Sequence, residues 1–158
     1  MSSTKFSLAF TYSVQVTAPP YFLGVFPEGL RLFFHSPTGT FNGHGDLASI
    51  RGRSLPQAGD VFLIQPNDIG VFDVLATLEM DDGQIVAERH KGRAFLPPGA
   101  YARMLEGKPP VGTAAVHAAF EFVTAAEQYS NMSRDVFFAD GLLSFEDMTV
   151  RYEIFRIE

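Results

Sequence analysis

Two aspartates in this 158-residue chain sit where carboxylates are costly, against or inside apolar runs. Asp60 directly precedes Val61-Phe-Leu-Ile64, and Asp73 interrupts Val71-Phe-Asp-Val-Leu75. A carboxylate beside apolar surface is desolvated, which raises its pKa toward the range useful for general acid/base work. Asp60 follows a glycine, so it also reads as a turn or strand-end cap. His117 and Glu121 fall on one face of the run Ala114–Thr124. They are either an imidazole tuned by a carboxylate or an exposed pair on a half-wet strand. Asp73, Asp60 and His117 are therefore the candidate catalytic groups. Around them, Tyr12 and Tyr129 could donate a phenol hydrogen bond to a ligand oxygen. His35 after Leu32-Phe-Phe34, Glu121, and Arg151 in the last apolar run complete the candidate ligand-binding set. Each of these also has a plain reading, as core or as surface.

Other chemistries lack their signatures. The four histidines, His35, His44, His90 and His117, include no pair at i, i+2 or i, i+4 spacing, so no metal site is expected. There is no cysteine, hence no disulfide, thiolate ligand or cysteine nucleophile. No Gly-x-Ser-x-Gly elbow occurs. Gly39-x-x-x-Gly43-x-Gly45 lacks the lysine and following helix of a phosphate loop. No organic cofactor is expected. The net charge is −6 and the twelve Lys and Arg are scattered, which argues against nucleic-acid binding. No apolar run approaches a membrane span, and the N-terminal alternation is too polar for a signal-peptide core. The expectation is a cytoplasmic protein.

The elements that must position these groups read as strands. Phe6, Leu8, Phe10, Tyr12, Val14 and Val16 alternate with polar residues until Ala18-Pro-Pro20. Further strands are predicted over Leu30–Ser36, Thr40–Ile50, Val61–Gln65, Val71–Met80, Gln84–His90, Ala114–Thr124, Asp135–Phe138 and Met148–Ile157. Pro37-Thr-Gly39 and Pro66-Asn-Asp68 are turn signals, and Asp81-Asp-Gly83 predicts a tight hairpin because glycine supplies positive φ. One helix is predicted over Gly99–Glu106, after Pro97-Pro98 and before Gly107 and Pro109-Pro110. Eight to nine short strands with one short helix, and no linker or repeat, predict a single all-β domain over 1–158, a small antiparallel barrel. Sixteen Phe and five Tyr suit strands and pocket walls alike. Parity leaves Asp73 two places. If Phe72, Val74, Ala76, Leu78 and Met80 point inward, Asp73 is in solvent; if they lie under a partner subunit or the helix, it is in the lumen. Two apolar faces on several strands also predict a homodimer.

The order and wording of these segments resemble the family catalogued as domain of unknown function 3237, small calycin-like β-barrels of bacteria and fungi. The resemblance runs from about Phe6 to the C-terminus. It rests on Thr38-Gly-Thr-Phe-Asn-Gly43 with Gly52 behind it, Leu55-Pro-Gln-Ala-Gly-Asp60, Pro66-Asn-Asp68, Asp73 with Thr77-Leu78, Asp81-Asp-Gly83 and Tyr152-x-Ile-Phe. It implies a calycin- or lipocalin-like barrel. The chain departs from the family pattern at Val61, where an aromatic is usual, and at Leu75, where an arginine is usual. Asn131 and Ser133 stand where Trp and Asn are usual. Without an arginine at Leu75, an inward Asp73 would lose its reason to stay ionised.

Two functions fit this inventory. One is a cofactor-free enzyme of isomerase, cyclase or lyase type that holds a small aromatic or polyketide-like molecule in the lumen and moves a proton. The other is a lipocalin-like binding protein without catalysis. They differ in whether the lumenal groups carry perturbed pKa values.

Overall fold

A computed structural model describes residues 4–17, 19–36 and 38–158. Met1–Ser3, Ala18 of the first strand break and Pro37 of the turn before Gly39 lie outside the described residues. Eleven strands form one antiparallel sheet: β1 Phe6–Gln15, β2 Tyr21–Phe26, β3 Gly29–Ser36, β4 Thr38–Gly43, β5 Arg51–Ser54, β6 Ala58–Ile64, β7 Ile69–Met80, β8 Ile85–Phe95, β9 Thr113–Val123, β10 Phe137–Ser144 and β11 Thr149–Ile157. Two short helices join them, α1 Ala100–Leu105 and α2 Ser130–Arg134.

Eight strands close a ring in the order β7-β5-β4-β1-β11-β10-β9-β8, with β8 returning to β7. The expected antiparallel barrel is therefore present, and β6, β3 and β2 extend it from β7. β5 and β6 share one edge of β7, Gly52–Ser54 against Leu78–Met80 and Gly59–Ile64 against Gly70–Leu75. The wall thus bends at Leu55–Gln57, where the Leu55 amide still bonds the Thr77 carbonyl at 2.8 Å. The β7–β8 hairpin turns through Asp81-Asp82-Gly83 as expected, with Gly83 at φ 82°.

Period-2 alternation decides the faces. In β7 Phe72, Val74, Ala76, Leu78 and Met80 are buried, and the intervening residues look outward. In β9 Ala114, Val116, Ala118, Phe120 and Phe122 are buried, and every odd position is exposed. β1 carries a correction. A bulge between Leu8 and Phe10 inserts Ala9 and flips the parity, so Phe6 leaves the face of Phe10 and packs outside against Phe138. β2 and β5 were not foreseen, and the run expected over Thr40–Ile50 stops at Gly43 in favour of a 3₁₀ turn at Gly45–Leu47. The helix expected near Gly99–Glu106 is α1. Asp68, at φ 64°, caps it: Oδ2 accepts the Gly99 amide and Oδ1 the Tyr101 amide, each at 2.8 Å. Among the described residues no helix is long and apolar enough to cross a membrane.

The interior is aromatic and closely packed. Phe10 meets Phe41, Phe122 and Phe137 at centroid distances of 4.6, 5.8 and 5.6 Å. Gly92 lies on the inner face of β8, opposite Ala118, where a Cβ would run into the His117 carbonyl oxygen and the Phe72 ring. Gly92→Ala is expected to lower stability by about 1–3 kcal/mol or more through overpacking, read as a lower urea midpoint at unchanged m-value.

Candidate functional site in the barrel lumen

The strand register brings four polar groups onto neighbouring rows of the inner wall, with Tyr12, His90 and Tyr152 buried and Asp60 half-buried. Asp60 on β6 pairs with Val74 on β7, Val74 with His90 on β8, and His90 with Phe120 on β9. Paired residues share a face, so Asp60 and His90 both point inward. Tyr12 on β1 pairs with Tyr152 on β11, which pairs with Gly141 on β10. A side chain at Gly141 would strike the Tyr152 ring, so the glycine makes room for it.

β8 supplies the key pair. Arg89, Lys91 and Arg93 occupy its outer face, leaving Glu88 and His90 inside at 2 % exposure each. His90 Nδ1 is 2.6 Å from Glu88 Oε1, and His90 Nε2 is 3.2 Å from the Tyr152 hydroxyl. The network assigns Nδ1–H as donor to Glu88, which leaves Nε2 to accept from Tyr152. The imidazole is locked flat on Phe120 at 4.3 Å, with an interplanar angle of 12°. Glu88 Oε2 and Ser54 Oγ are buried without a hydrogen-bond partner among the described residues.

Asp60 is set into a gap in the wall. The β6–β7 ladder pairs Asp60 with Val74 and resumes at Leu63 with Val71; between them the Asp73 amide donates to Asp60 Oδ1 at 3.2 Å. Enclosure by apolar neighbours raises the Asp60 carboxyl to about 7, against smaller opposing effects of that amide and of His90. Burial, then the Asp60 and Glu88 charges, pushes the Tyr152 phenol well up. Burial and Glu88 do the same to Tyr12.

These groups face a cavity of about 480 Å³. Its polar lining consists of Tyr12, Ser36, Asp60, His90 and Tyr152 among the described residues; the rest is apolar or glycine, including Phe34, Phe62 and Phe72. The part of the lining that reaches solvent, and so marks the mouth, includes Pro19, Phe22, Met104, Pro109, Phe145 and Met148, all apolar. No group of three His, Asp or Glu side chains suited to a metal converges among the described residues.

Of the eight candidate residues, the structure brings two to this cavity, Asp60 and Tyr12. Asp73 is corrected outward. It lies opposite Lys91, and Arg89 grips its carboxylate through two bonds of 2.9 and 2.7 Å. That guanidinium holds the carboxyl below its ordinary range, the reverse of the rise expected for an inward Asp73. Arg89 pairs with Leu75, so the positive charge missing at Leu75 arrives from across the ladder. His117 is likewise outside, 3.4 Å from Asp140, and Glu121 faces solvent beside Arg89. His35 is on the outer face of β3, its Nδ1 3.0 Å from the Ala58 carbonyl, and exposed Arg151 reaches Asp147. Tyr129 is buried away from the cavity, its phenol pushed up to about 12 by desolvation and by Asp82. The sequence reading missed Glu88, His90 and Tyr152. The cations at 89, 91 and 93 were the available signal, since three charges on one face force the other face inward.

No curated protein matches the chain. A family model described as protein of unknown function, DUF3237, matches residues 4–157. Among solved structures, a protein of unknown function from Clostridium acetobutylicum ATCC 824 is similar at 17 % identity with a TM-score of 0.83, covering 99 % of this chain and 100 % of that one. A β-barrel-like protein from Acinetobacter baumannii AYE is similar at 22 % identity and 0.80, covering 100 % and 98 %. An enzyme from Penicillium herquei is similar at 12 % identity and 0.69, covering 100 % and 97 %. At these identities the likeness is one of fold.

A carboxyl raised to about 7 keeps a proton in the folded state that the unfolded chain releases near pH 4. Folded stability is therefore expected to fall as pH rises from about 4 through about 7, by on the order of a few kcal/mol, and to level off above. Urea unfolding at about pH 5 and about pH 8.5 should show that Asp60→Asn removes this component of the decline, leaving the dependence due to other groups.

Proposed function

The chain belongs to the DUF3237 family, and from that premise we propose that it is a cofactor-free acid/base enzyme acting on a small aromatic or polyketide-like molecule in the barrel lumen. The observation that supports this reading is Asp60. Its carboxyl titrates near neutrality at the wall of an apolar cavity that it shares with the hydrogen-bonded Tyr152–His90–Glu88 chain. A group poised near the working pH makes an efficient proton donor or acceptor. A second group of very different proton affinity alongside it divides the roles.

Ionised Asp60 takes a proton from a carbon next to a substrate carbonyl. The Tyr12 hydroxyl, stacked beside Tyr152 on the same wall, donates to the carbonyl oxygen as negative charge builds there, while Tyr152 keeps its own proton on His90 Nε2. Protonated Asp60 then returns its proton to a different carbon, completing an isomerisation, or to the same carbon, which is seen only as exchange. If the enol instead closes on an internal electrophile, or expels a leaving group, the same two groups serve a cyclase or a lyase. Glu88 and Phe120 fix the imidazole so that these transfers need no rearrangement. That one neighbour of the same fold is an enzyme supports a catalytic reading over a purely carrying one.

The probe reaction is hydrogen–deuterium exchange at C1 of 2-tetralone in D₂O, followed by proton NMR. Exchange above the buffer rate is expected, with a loss of ~100-fold in Asp60→Asn, a comparable loss in His90→Gln, and a change of at most about twofold in Asp73→Asn. The wild-type rate should rise with pH to a plateau beyond about 7, as Asp60 ionises. Tight binding of 2-tetralone with no exchange would turn the assignment to a lipocalin-like carrier.

A further inference from the structure

The cavity is unusual for what its walls withhold. Among the described residues no Lys or Arg lines it. The cations of β8 are all on its outer face, and Arg51 and Arg53 of β5 are exposed. Arg151 reaches Asp147, while Arg156 is committed to Asp46, Asp135 and Glu158. Near the mouth, Arg103 donates to the Pro109 carbonyl and Lys108 to Glu106. The charge that does face inward is acidic: Asp60 on the wall and Glu88 behind His90.

We propose that the lumen selects ligands by charge, admitting uncharged apolar molecules that carry a hydroxyl or carbonyl oxygen and rejecting the corresponding carboxylates, with Asp60 as the selector. This rests on the lumen being the ligand site. An anion entering would lose its hydration in a space with no cation to replace it. It would also meet an ionised Asp60 in a low-dielectric setting, where like charges repel far more than in water. A neutral hydroxyl or carbonyl loses less on desolvation, and Tyr12, Tyr152 and Asp60 offer it donors and acceptors.

The selectivity is a function of pH. The titratable groups around Asp60 are His90 and Glu88 on β8, Tyr152 on β11, Tyr12 on β1, and Asp73 on β7, whose carboxylate is outside and held by Arg89. From β3 the partner of Asp60 is Phe34, with His35 beside it facing out. As pH falls, Asp60 takes up a proton, the repulsion disappears, and the neutral acid can donate to an entering carboxylate.

Calorimetric titration with 2-naphthol and 2-naphthoate, matched in their ring system, tests this at about pH 6 and about pH 8. At the higher pH the naphthol is expected to bind at least ~30-fold more tightly. Lowering the pH should strengthen naphthoate binding by about tenfold or more and change naphthol binding far less. In Asp60→Asn, naphthoate should bind better at the higher pH and lose its pH dependence. Equal affinities for the two probes at the higher pH in the wild type would overturn charge selection while leaving the lumen as the ligand site. Unchanged rejection of naphthoate by a folded Asp60→Asn protein would overturn the assignment to Asp60. Failure of both probes to bind at any pH would overturn the lumenal site itself. The wild-type pH series carries the test even if the variant does not fold.

Discussion

Closing eight strands into a ring commits every second side chain to the lumen, and no strand can change that choice without a bulge. Arg89, Lys91 and Arg93 show how strong the constraint is. Three long cations are far cheaper in water than in a core of phenylalanines, so they fix the face of β8. Glu88 and His90 must then be buried, whatever the cost. Register does the rest, carrying the row from His90 through Val74 to Asp60. The site is thus a consequence of where the barrel refuses to place charge.

Buried polar groups are tolerated when they find one another. His90 is satisfied on both nitrogens, and its ring recovers dispersion contact by stacking on Phe120. Asp60 accepts a backbone amide that a regular ladder would have used otherwise. Glu88 Oε2, with no partner among the described residues, is an unbalanced polar atom in an otherwise close-packed wall. Such atoms are uncommon in native interiors.

The ring itself could be read from the chain because alternation and turn chemistry agreed. Asp81-Asp82-Gly83 named its hairpin, and Phe72 to Met80 named an inward stripe. The bulge at Ala9 could not be read, because it depends on the partner strand, and it moved Phe6 to the far side. β2 escaped notice since Tyr21-Phe-Leu-Gly-Val-Phe26 does not alternate; as the sheet's edge it leaves Tyr21, Phe22, Leu23 and Val25 exposed rather than sorting them by face. Asp60 was visible as a carboxylate against an apolar run. Asp73 looked equivalent, and only the cross-strand neighbours separate them: Arg89 and Lys91 for one, Val74 and Phe34 for the other. Tyr152 was seen as part of a familiar ending rather than as a donor, because its partner His90 lies on a strand distant in the chain.

The seam between β1 and β11 has a kinetic meaning. Phe6 pairs with Ile157 and Tyr12 with Tyr152, so the first strand of the ring finds one flank only in the last. During synthesis the nascent barrel stays open along that seam until β11 has emerged, with Phe10, Tyr12 and Val14 lacking their final neighbours. Contacts of such long sequence separation slow the search for the native state, because loop-closure entropy is spent before they form. Tyr12 and Tyr152 meet in the same late event, so the lumen acquires its phenolic wall only as the chain completes its circuit.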